Sequence, residues 1–190
     1  MHVQSDASAW VQRWQTLVPT SAAVLDLACG RGRHTQLFAA RGCTVTAVDR
    51  DADALSIVAQ TATETGKGRV TTVQADLEGA PWPFAPASFD AIIVTNYLHR
   101  PQFAELVRTL RPGGVLIYET FMLGNERYGR PSNPEFLLRP GELLQMMCPP
   151  LHPIAFEQGL MTQPKPAMVQ RLCAAAVASS VEAPSSFEIA

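Results

Sequence analysis

The sequence predicts an α/β fold in which seven strands form a mostly parallel sheet, with one antiparallel strand, between two layers of helices. Two observations lead to this fold class. Between residues 24 and 147, short apolar runs alternate with helical stretches, and such alternation requires right-handed crossovers and a parallel sheet covered on both faces. The last two strand-like runs, 152–157 and 167–175, have no helix between them, and the link 158–166 contains Gly and Pro as a hairpin connection would.

The individual elements follow from apolar periodicity and from turn residues. Strands are expected near 24–28, 44–48, 69–73, 89–94, 114–119, 152–157 and 167–175, and helices near 6–17, 33–40, 53–65, 101–110 and 141–147. Asp51 or Asp53 is expected to cap the helix at 53–65, and Pro101 suits a first helical turn. The opening helix has one apolar face. Either this face packs on the domain, or the helix is a lid that closes over the cofactor and the substrate.

Length and composition predict one compact domain over residues 1–178, followed by a flexible tail at 179–190. A net charge of −2 argues against a surface that coats nucleic acid in general, although a local basic patch stays open. Four cysteines without C-x-x-C spacing are expected to be reduced, and they predict no metal site and no disulfide framework. We expect a cytoplasmic location and no membrane contact, because no signal-like segment or spanning apolar run occurs. No oligomeric state is predicted.

The most informative motif is the run V-L-D-L-A-C-G-R-G-R at 24–33, a buried strand that enters a glycine-containing turn. Gly30 and Gly32 allow positive φ and close approach of the backbone to a ligand. About twenty residues later Asp49 ends a second strand, where an acid can accept from both hydroxyls of a ribose. The dinucleotide fingerprint G-x-G-x-x-G fails at two of its three glycine positions, which hold Ala28 and Arg33. The turn is therefore a poor binding site for the pyrophosphate of NAD or FAD.

The string Asp26-x-Ala28-x-Gly30-x-Gly32 resembles motif I of class I S-adenosylmethionine-dependent methyltransferases, with Ala28 in place of the first glycine. The resemblance continues in order through Gln74-Ala75-Asp76-Leu77, through the strand at 88–94 with its end at 95–99, and through the Pro-Gly-Gly turn at 110–118. It implies a Rossmann-like three-layer sandwich. It also implies S-adenosylmethionine as cofactor and S-adenosylhomocysteine as product.

The resemblance implies a set of residues around the cofactor. Asp49 would bind the ribose, Asp76 would accept from the adenine amino group, and Leu77 would supply a neighbouring backbone N–H. The full set expected at the cofactor is Asp26, Ala28, Cys29, Gly30, Gly32, His34, Asp49, Arg50, Asp76, Leu77 and Asn96. In the alternative interpretation Asp49 and Asp76 are caps and Asn96 is an ordinary turn residue.

The long segment from Glu119 to Leu144 predicts a cover over the catalytic mouth, because long loops in compact domains tend to be functional. Arginine forks match carboxylates and other oxyanions, so an anionic substrate is plausible. The residues expected at the substrate are Arg100, Arg127, Arg130 and Asn133. Alternatively the loop only packs, and its arginines pair with Glu126, Glu135 and Glu142. A helix that opens with Gly-Glu-Leu after this loop is similar to the tellurite-resistance (TehB-like) branch of small methyltransferases.

The expected reaction is in-line methyl transfer, in which the protein positions a nucleophile and removes a proton where needed. His99 is the first candidate base because histidine as a residue type ordinarily titrates near neutral pH, and Tyr97, Glu119 and Tyr128 are the lesser candidates. In the alternative interpretation His99 is an ordinary surface residue or belongs to the N-cap region of the next helix. An acceptor that is a soft anion would need no base.

Three functions remain open from the sequence. A small-molecule methyltransferase is favoured; nucleic-acid amino-methylation is not, because no proline follows Asn96. An RNA or protein methyltransferase that uses the loop after strand five is the alternative. The third class is a non-catalytic cofactor-binding protein or an NAD-type oxidoreductase.

Overall fold

A computed structural model describes residues 7–65 and 67–177, which contain a seven-stranded sheet. Its strand order is β3-β2-β1-β4-β5-β7-β6; β1 to β5 run parallel, and β7 is antiparallel to both of its neighbours. The strands are β1 Ala23–Leu27, β2 Thr44–Asp49, β3 Arg69–Gln74, β4 Phe89–Thr95, β5 Leu110–Phe121, β6 Leu151–Met161 and β7 Ala167–Ala176. The predicted fold class, with its single antiparallel strand, is confirmed.

Five helices accompany the strands in the described residues. They are α1 Ala9–Trp14, α2 Arg33–Ala40, α3 Ala52–Thr65, α4 Phe103–Thr109 and α5 Glu142–Met147. Of the two candidate caps for α3, Asp51 is the one used: its Oδ1 accepts from the backbone N–H groups of Asp53 and Ala54. The predicted helix at 101–110 starts instead as a 3₁₀ turn at Arg100–Gln102.

The sheet carries a hydrophobic core on each face, which makes three layers. Along β4, Ile92 and Val94 belong to one core and Ala91 and Ile93 to the other. The first core is completed by side chains of α4 and α5, and the second by side chains of α1 and α2. A strand buried on both faces reads as a continuous apolar run, which is why the parallel strands were visible in the sequence.

The opening helix packs on the domain. Trp10, Val11 and Trp14 are buried, and the two indole rings meet edge to face with centroids 5.6 Å apart. The Trp10 Nε1–H donates to the carbonyl of Leu172 at 3.4 Å. The predicted start of this helix at residue 6 and the predicted tail at 179–190 lie outside the described residues.

The hairpin and the long loop are more ordered than the sequence indicated. The hairpin link is only 162–166, because Gln158 to Met161 pair with the strand β7. The segment after β5 contains two 3₁₀ turns, Asn125–Arg127 and Pro134–Phe136. It is also tied to the end of β5, since the Leu138 N–H donates to the Phe121 carbonyl at 3.0 Å.

Among the described helices, none combines the length and apolar character that crossing a membrane requires. Of the four cysteines expected in the core, Cys29, Cys43 and Cys173 are buried, whereas Cys148 is half-buried.

Candidate active site

Two neighbouring cavities lie at the carboxyl ends of the parallel strands, the edge where ligands of such sheets bind. The narrow cavity, about 130 Å³, is lined by Ala28, Asp49, Arg50, Ala75, Asp76, Leu77, Glu78 and Tyr97. The wide cavity, about 880 Å³, is lined by twenty residues from α1, α2, the strand ends and the loops after β5 and β6. Consecutive residues after β4 face the two spaces, since Tyr97 lines the narrow cavity and Asn96 the wide one.

The loop after β1 takes the left-handed conformation at three positions. The φ angles of Ala28, Gly30 and Gly32 are +51°, +54° and +79°. A side chain at Gly32 would place its Cβ 2.7 Å from Val58 of α3, so glycine is required there for packing as well as for φ. Ala28 adopts a positive φ, which is energetically unfavourable for a residue that has a Cβ atom. The motif usually has glycine at this position, and glycine adopts the same φ without that cost.

Asp49 connects the end of β2 to this loop. Its Oδ2 accepts from the Gly30 N–H at 2.8 Å, and its Oδ1 accepts from the Asp51 N–H at 3.0 Å. The residue is half-buried and lines the narrow cavity. Since Asp51 caps α3, Asp49 is not the helix cap of the alternative interpretation.

Asp76 and Leu77 follow β3 and form part of the wall of the narrow cavity. A residue that sequence reasoning missed holds this wall. The buried side chain of Gln102 donates from Nε2 to the Leu77 carbonyl, while its Oε1 accepts from the Tyr97 hydroxyl at 3.4 Å. Nothing in the local sequence marks Gln102, because the Leu77 carbonyl to which it donates lies 25 residues away, in the loop after β3. Burial raises the pKa of the Tyr97 phenol, which therefore stays protonated at neutral pH.

The side chains of Asp26, Cys29 and His34, which were expected at the cofactor, are buried and line neither cavity, and the buried Gly32 lines neither. Asp26 Oδ2 accepts from the Thr35 hydroxyl at 2.6 Å, and burial raises the Asp26 pKa to about 6. The His34 Nε2 accepts from the Ser8 N–H at 3.1 Å, and burial lowers the His34 pKa to about 3. The side chains of Asp26 and His34 therefore form internal contacts beneath the loop that follows β1.

Glu119 is the carboxylate of the wide cavity. It lies near the end of β5, is 5% exposed, and is the single acidic residue among the residues described as lining this cavity. Its Oε1 accepts from the Ser8 hydroxyl at 2.8 Å, and its Oε2 accepts from Arg171 Nε at 2.5 Å. Ser8 begins α1, so the first turn of the opening helix forms one wall of the wide cavity while the rest of the helix packs in the core.

The wide cavity is surrounded by cations from four parts of the chain. Arg33 comes from α2, Arg130 from the loop after β5, Lys165 from the hairpin link and Arg171 from β7. Of these four cations, only Arg130 was expected at the substrate from the sequence. Lys165 sits in the hairpin link that the sequence did predict, but nothing local indicates that this link bends over the site.

Other predicted side chains lie away from the cavities. Arg100 forms a two-pronged ion pair with Glu142, at 2.6 and 3.0 Å, and donates to the carbonyls of Glu135 and Leu137. Its guanidinium therefore fastens the loop, as in the pairing alternative, and does not face the wide cavity. Asn133 caps the second 3₁₀ turn by accepting from the Glu135 N–H at 3.0 Å.

Of the remaining candidates, Tyr128 and Arg130 line the wide cavity, whereas Arg127 and His99 line neither cavity. Arg127 lies in the first 3₁₀ turn and is exposed. The His99 carbonyl accepts from the Gln102 N–H at 3.1 Å, so this residue contributes to the turn that begins the next helix.

Comparison with known proteins agrees with this arrangement. Residues 24–114 match the family described as "Methyltransferase domain". The chain is 38% identical over 106 residues to a malonyl-[acyl-carrier protein] O-methyltransferase of Enterobacter lignolyticus, covering 52% of this chain and 39% of that protein. It is 31% identical over 102 residues to a ubiquinone biosynthesis O-methyltransferase of Paracidovorax citrulli, covering 51% and 42%. The chain thus spans about two fifths of the length of the curated relatives it matches.

Solved structures share the whole fold at low sequence identity. TehB from Haemophilus influenzae aligns with a TM-score of 0.72 and 17% identity, covering 88% of this chain and 61% of that one. A SAM-dependent methyltransferase from Methanosarcina mazei aligns with a TM-score of 0.69 and 16% identity, covering 92% and 100%. At such identities the likeness shows the fold.

Proposed function

We propose that this chain is a class I S-adenosylmethionine-dependent methyltransferase, and that it transfers the methyl group of that cofactor to a small anionic acceptor in the wide cavity; the match of residues 24–114 and the shared fold support the first part. The observation that carries the proposal is the pairing of an acidic narrow cavity with a wide cavity surrounded by cations. The first suits a nucleoside, and the second suits an anion.

The residues of the narrow cavity fit the adenosine part of the cofactor. Asp49 and Asp76 both line this cavity, and their carboxylates would accept from the ribose hydroxyls and the adenine amino group respectively. Three acidic residues line this cavity against the single Arg50, which would repel the pyrophosphate of NAD or FAD. Gln102 keeps the Leu77 backbone in place beside the base.

The methionine end of the cofactor would extend past Gly30 and Asn96 toward the wide cavity. Asn96 has a φ of +56° and donates its backbone N–H to the Glu119 carbonyl at 2.9 Å. That bond fixes the ends of β4 and β5 relative to each other at the junction of the two cavities. When bound, the cofactor supplies a methyl group already activated by a sulfonium.

The chain's own part in the reaction is positioning. In-line transfer requires the acceptor to be held behind the methyl group and shielded from water. Tyr128 and Arg130 from the loop after β5, together with the first turn of α1, close around that position. The names of the two relatives reported above, both O-methyltransferases, support an oxygen acceptor.

Titration calorimetry with S-adenosylmethionine, S-adenosylhomocysteine and NAD tests the cofactor assignment. We expect the first two to bind and NAD not to bind, and tight NAD binding would refute the proposal. Formation of S-adenosylhomocysteine on addition of small anions then tests the acceptor class. Salt-dependent RNA binding with RNA methylation would support the alternative of an RNA methyltransferase.

A further inference from the structure

The charges around the wide cavity are unequal. Arg33, Arg130 and Lys165 line it from three separate segments. The fourth cation, Arg171, is paired with Glu119 at 2.5 Å and lies 3.5 Å from Glu157. The described lining holds four cationic side chains and one carboxylate, that of Glu119, and a bound sulfonium would add a further positive charge. An amine that is protonated at neutral pH would be repelled from such a space.

The Glu119 carboxylate is fully engaged. The Ser8 hydroxyl donates to one oxygen and Arg171 to the other. Both carboxylate oxygens of Glu119 are thus occupied by donors of the protein itself, one of them charged. This geometry suits a structural role: Glu119 joins α1, through Ser8, to β7, through Arg171.

We infer, on the premise of the methyl transfer proposed above, that the acceptor is a small carboxylic acid and that the product is its methyl ester. A carboxyl group has an unperturbed pKa near 4, so it enters the cavity already ionised at neutral pH. A carboxylate oxygen forms the new bond to the methyl carbon while the carbon–sulfur bond breaks, and the electron pair of that bond stays on sulfur. An anion and a sulfonium cation become two neutral groups, and no proton moves.

Arg130 and Lys165 are assigned to the carboxylate-bearing acceptor because they approach the same cavity from the loop after β5 and from the hairpin link. An arginine fork can bind a carboxylate through two parallel hydrogen bonds. For a diacid, one carboxylate would be held by these cations while the other reacts, which would make dicarboxylates better acceptors than monocarboxylates of equal length.

The test begins with binding to the protein saturated with S-adenosylhomocysteine. Straight-chain mono- and dicarboxylates of four to ten carbons and benzoate are titrated by calorimetry, each beside its primary amide. We expect carboxylates to bind and their amides to bind at least tenfold more weakly. Arg130→Gln and Lys165→Gln should each weaken carboxylate binding about tenfold, whereas Lys67→Gln, an exposed lysine outside both cavities, should not.

Turnover identifies the bond formed. With methyl-labelled S-adenosylmethionine, the product should release labelled methanol in mild alkali, as methyl esters do. We expect kcat/KM for the best acid to be constant between pH 6 and 8, because neither partner has to lose a proton in that range. A phenol, thiol or amine would show a rising profile and an alkali-stable methyl group.

Three outcomes would overturn the inference: equal binding of acids and amides, binding of no carboxylate in the panel, or transfer to an alkali-stable position. Failure of S-adenosylhomocysteine itself to bind is a different result, because it would remove the proposed function and not only the acceptor. An acid that binds and yields the labile ester supports both.

Discussion

The Asp49 carboxylate accepts a hydrogen bond of 2.8 Å from the Gly30 amide and so joins the carboxyl end of β2 to the turn after β1. The same carboxylate lines the narrow cavity. One side chain thus shapes the glycine turn and presents an acceptor to a ligand. A residue with both roles should affect cofactor binding more than its two internal hydrogen bonds, from the Gly30 and Asp51 amides, would suggest.

Replacement of Asp49 by Ala should reduce affinity for S-adenosylmethionine by roughly 10–100-fold, since charge-assisted hydrogen bonds contribute about 1.5–3 kcal/mol. Calorimetry measures the effect. Asp51→Ala is the matched control two residues away: it removes the cap of α3 and should cost about 1 kcal/mol of unfolding free energy with the cofactor Kd unchanged. An unaltered Kd for Asp49→Ala would exclude Asp49 from the ribose.

Asp76 should distinguish adenosine from inosine. If its carboxylate accepts from the exocyclic amino group, the wild-type protein should bind an inosine analogue of S-adenosylhomocysteine about tenfold or more weakly. Asp76→Ala should lower affinity for the adenosine form and abolish the preference. Competition binding with both nucleosides measures this, and equal affinities in the wild-type protein would contradict the assignment.

The sequence placed both Arg127 and Arg130 at the substrate, whereas the structure predicts different roles for them. Only Arg130 lines the wide cavity. Arg130→Gln should therefore raise the acceptor KM roughly tenfold with cofactor affinity intact, and Arg130→Lys should recover part of the loss. Arg127→Gln should behave as the wild-type protein. Steady-state kinetics with the identified acceptor decides, and the reverse pattern would show that the loop is positioned differently in solution.

His34 should make the fold sensitive to acid. Burial lowers its pKa from 6.5 to about 3, so between these values the unfolded chain binds a proton that the folded chain does not. The free energy of unfolding is therefore unaffected by this group above pH 6.5. It decreases as the pH falls further, by about 2 kcal/mol at pH 5. In His34→Gln, urea unfolding at pH 7 and pH 5 should show a correspondingly smaller loss. An identical loss in both proteins would contradict neutral burial of His34.

Asp26 should act in the opposite direction. Burial raises its pKa from 3.8 to about 6, so between these pH values the folded chain binds a proton that the unfolded chain has lost. The destabilisation caused by burying the ionised carboxylate therefore grows over this range and reaches its full size above pH 6. Asp26→Asn, which keeps an oxygen for the Thr35 hydroxyl, should gain stability relative to the wild-type protein as the pH rises from 4 to 7, by about 3 kcal/mol at most. Urea unfolding across that range measures the difference, and a constant difference would contradict the raised pKa.

The fold class and the residues that follow β1 and β2 at the edge of the sheet could be predicted because their signals are local. Gly30, Gly32 and Asp49 lie at the ends of adjacent parallel strands, β1 and β2, and parallel pairing brings such ends together without any further information. The buried parallel strands are apolar on both faces, so they stand out from the helices in the sequence.

The lining of the wide cavity was decided by the tertiary structure alone. The Ser8 hydroxyl and the Glu119 carboxylate are 111 residues apart in the chain, and Arg171 lies 52 residues beyond Glu119. Nothing local distinguishes Arg100, which fastens the loop to Glu142, from Arg130, which lines the wide cavity. Side chains of the same type differ in role according to which partner the folded chain brings within hydrogen-bond distance, and that proximity arises only when distant loops close over the end of the sheet.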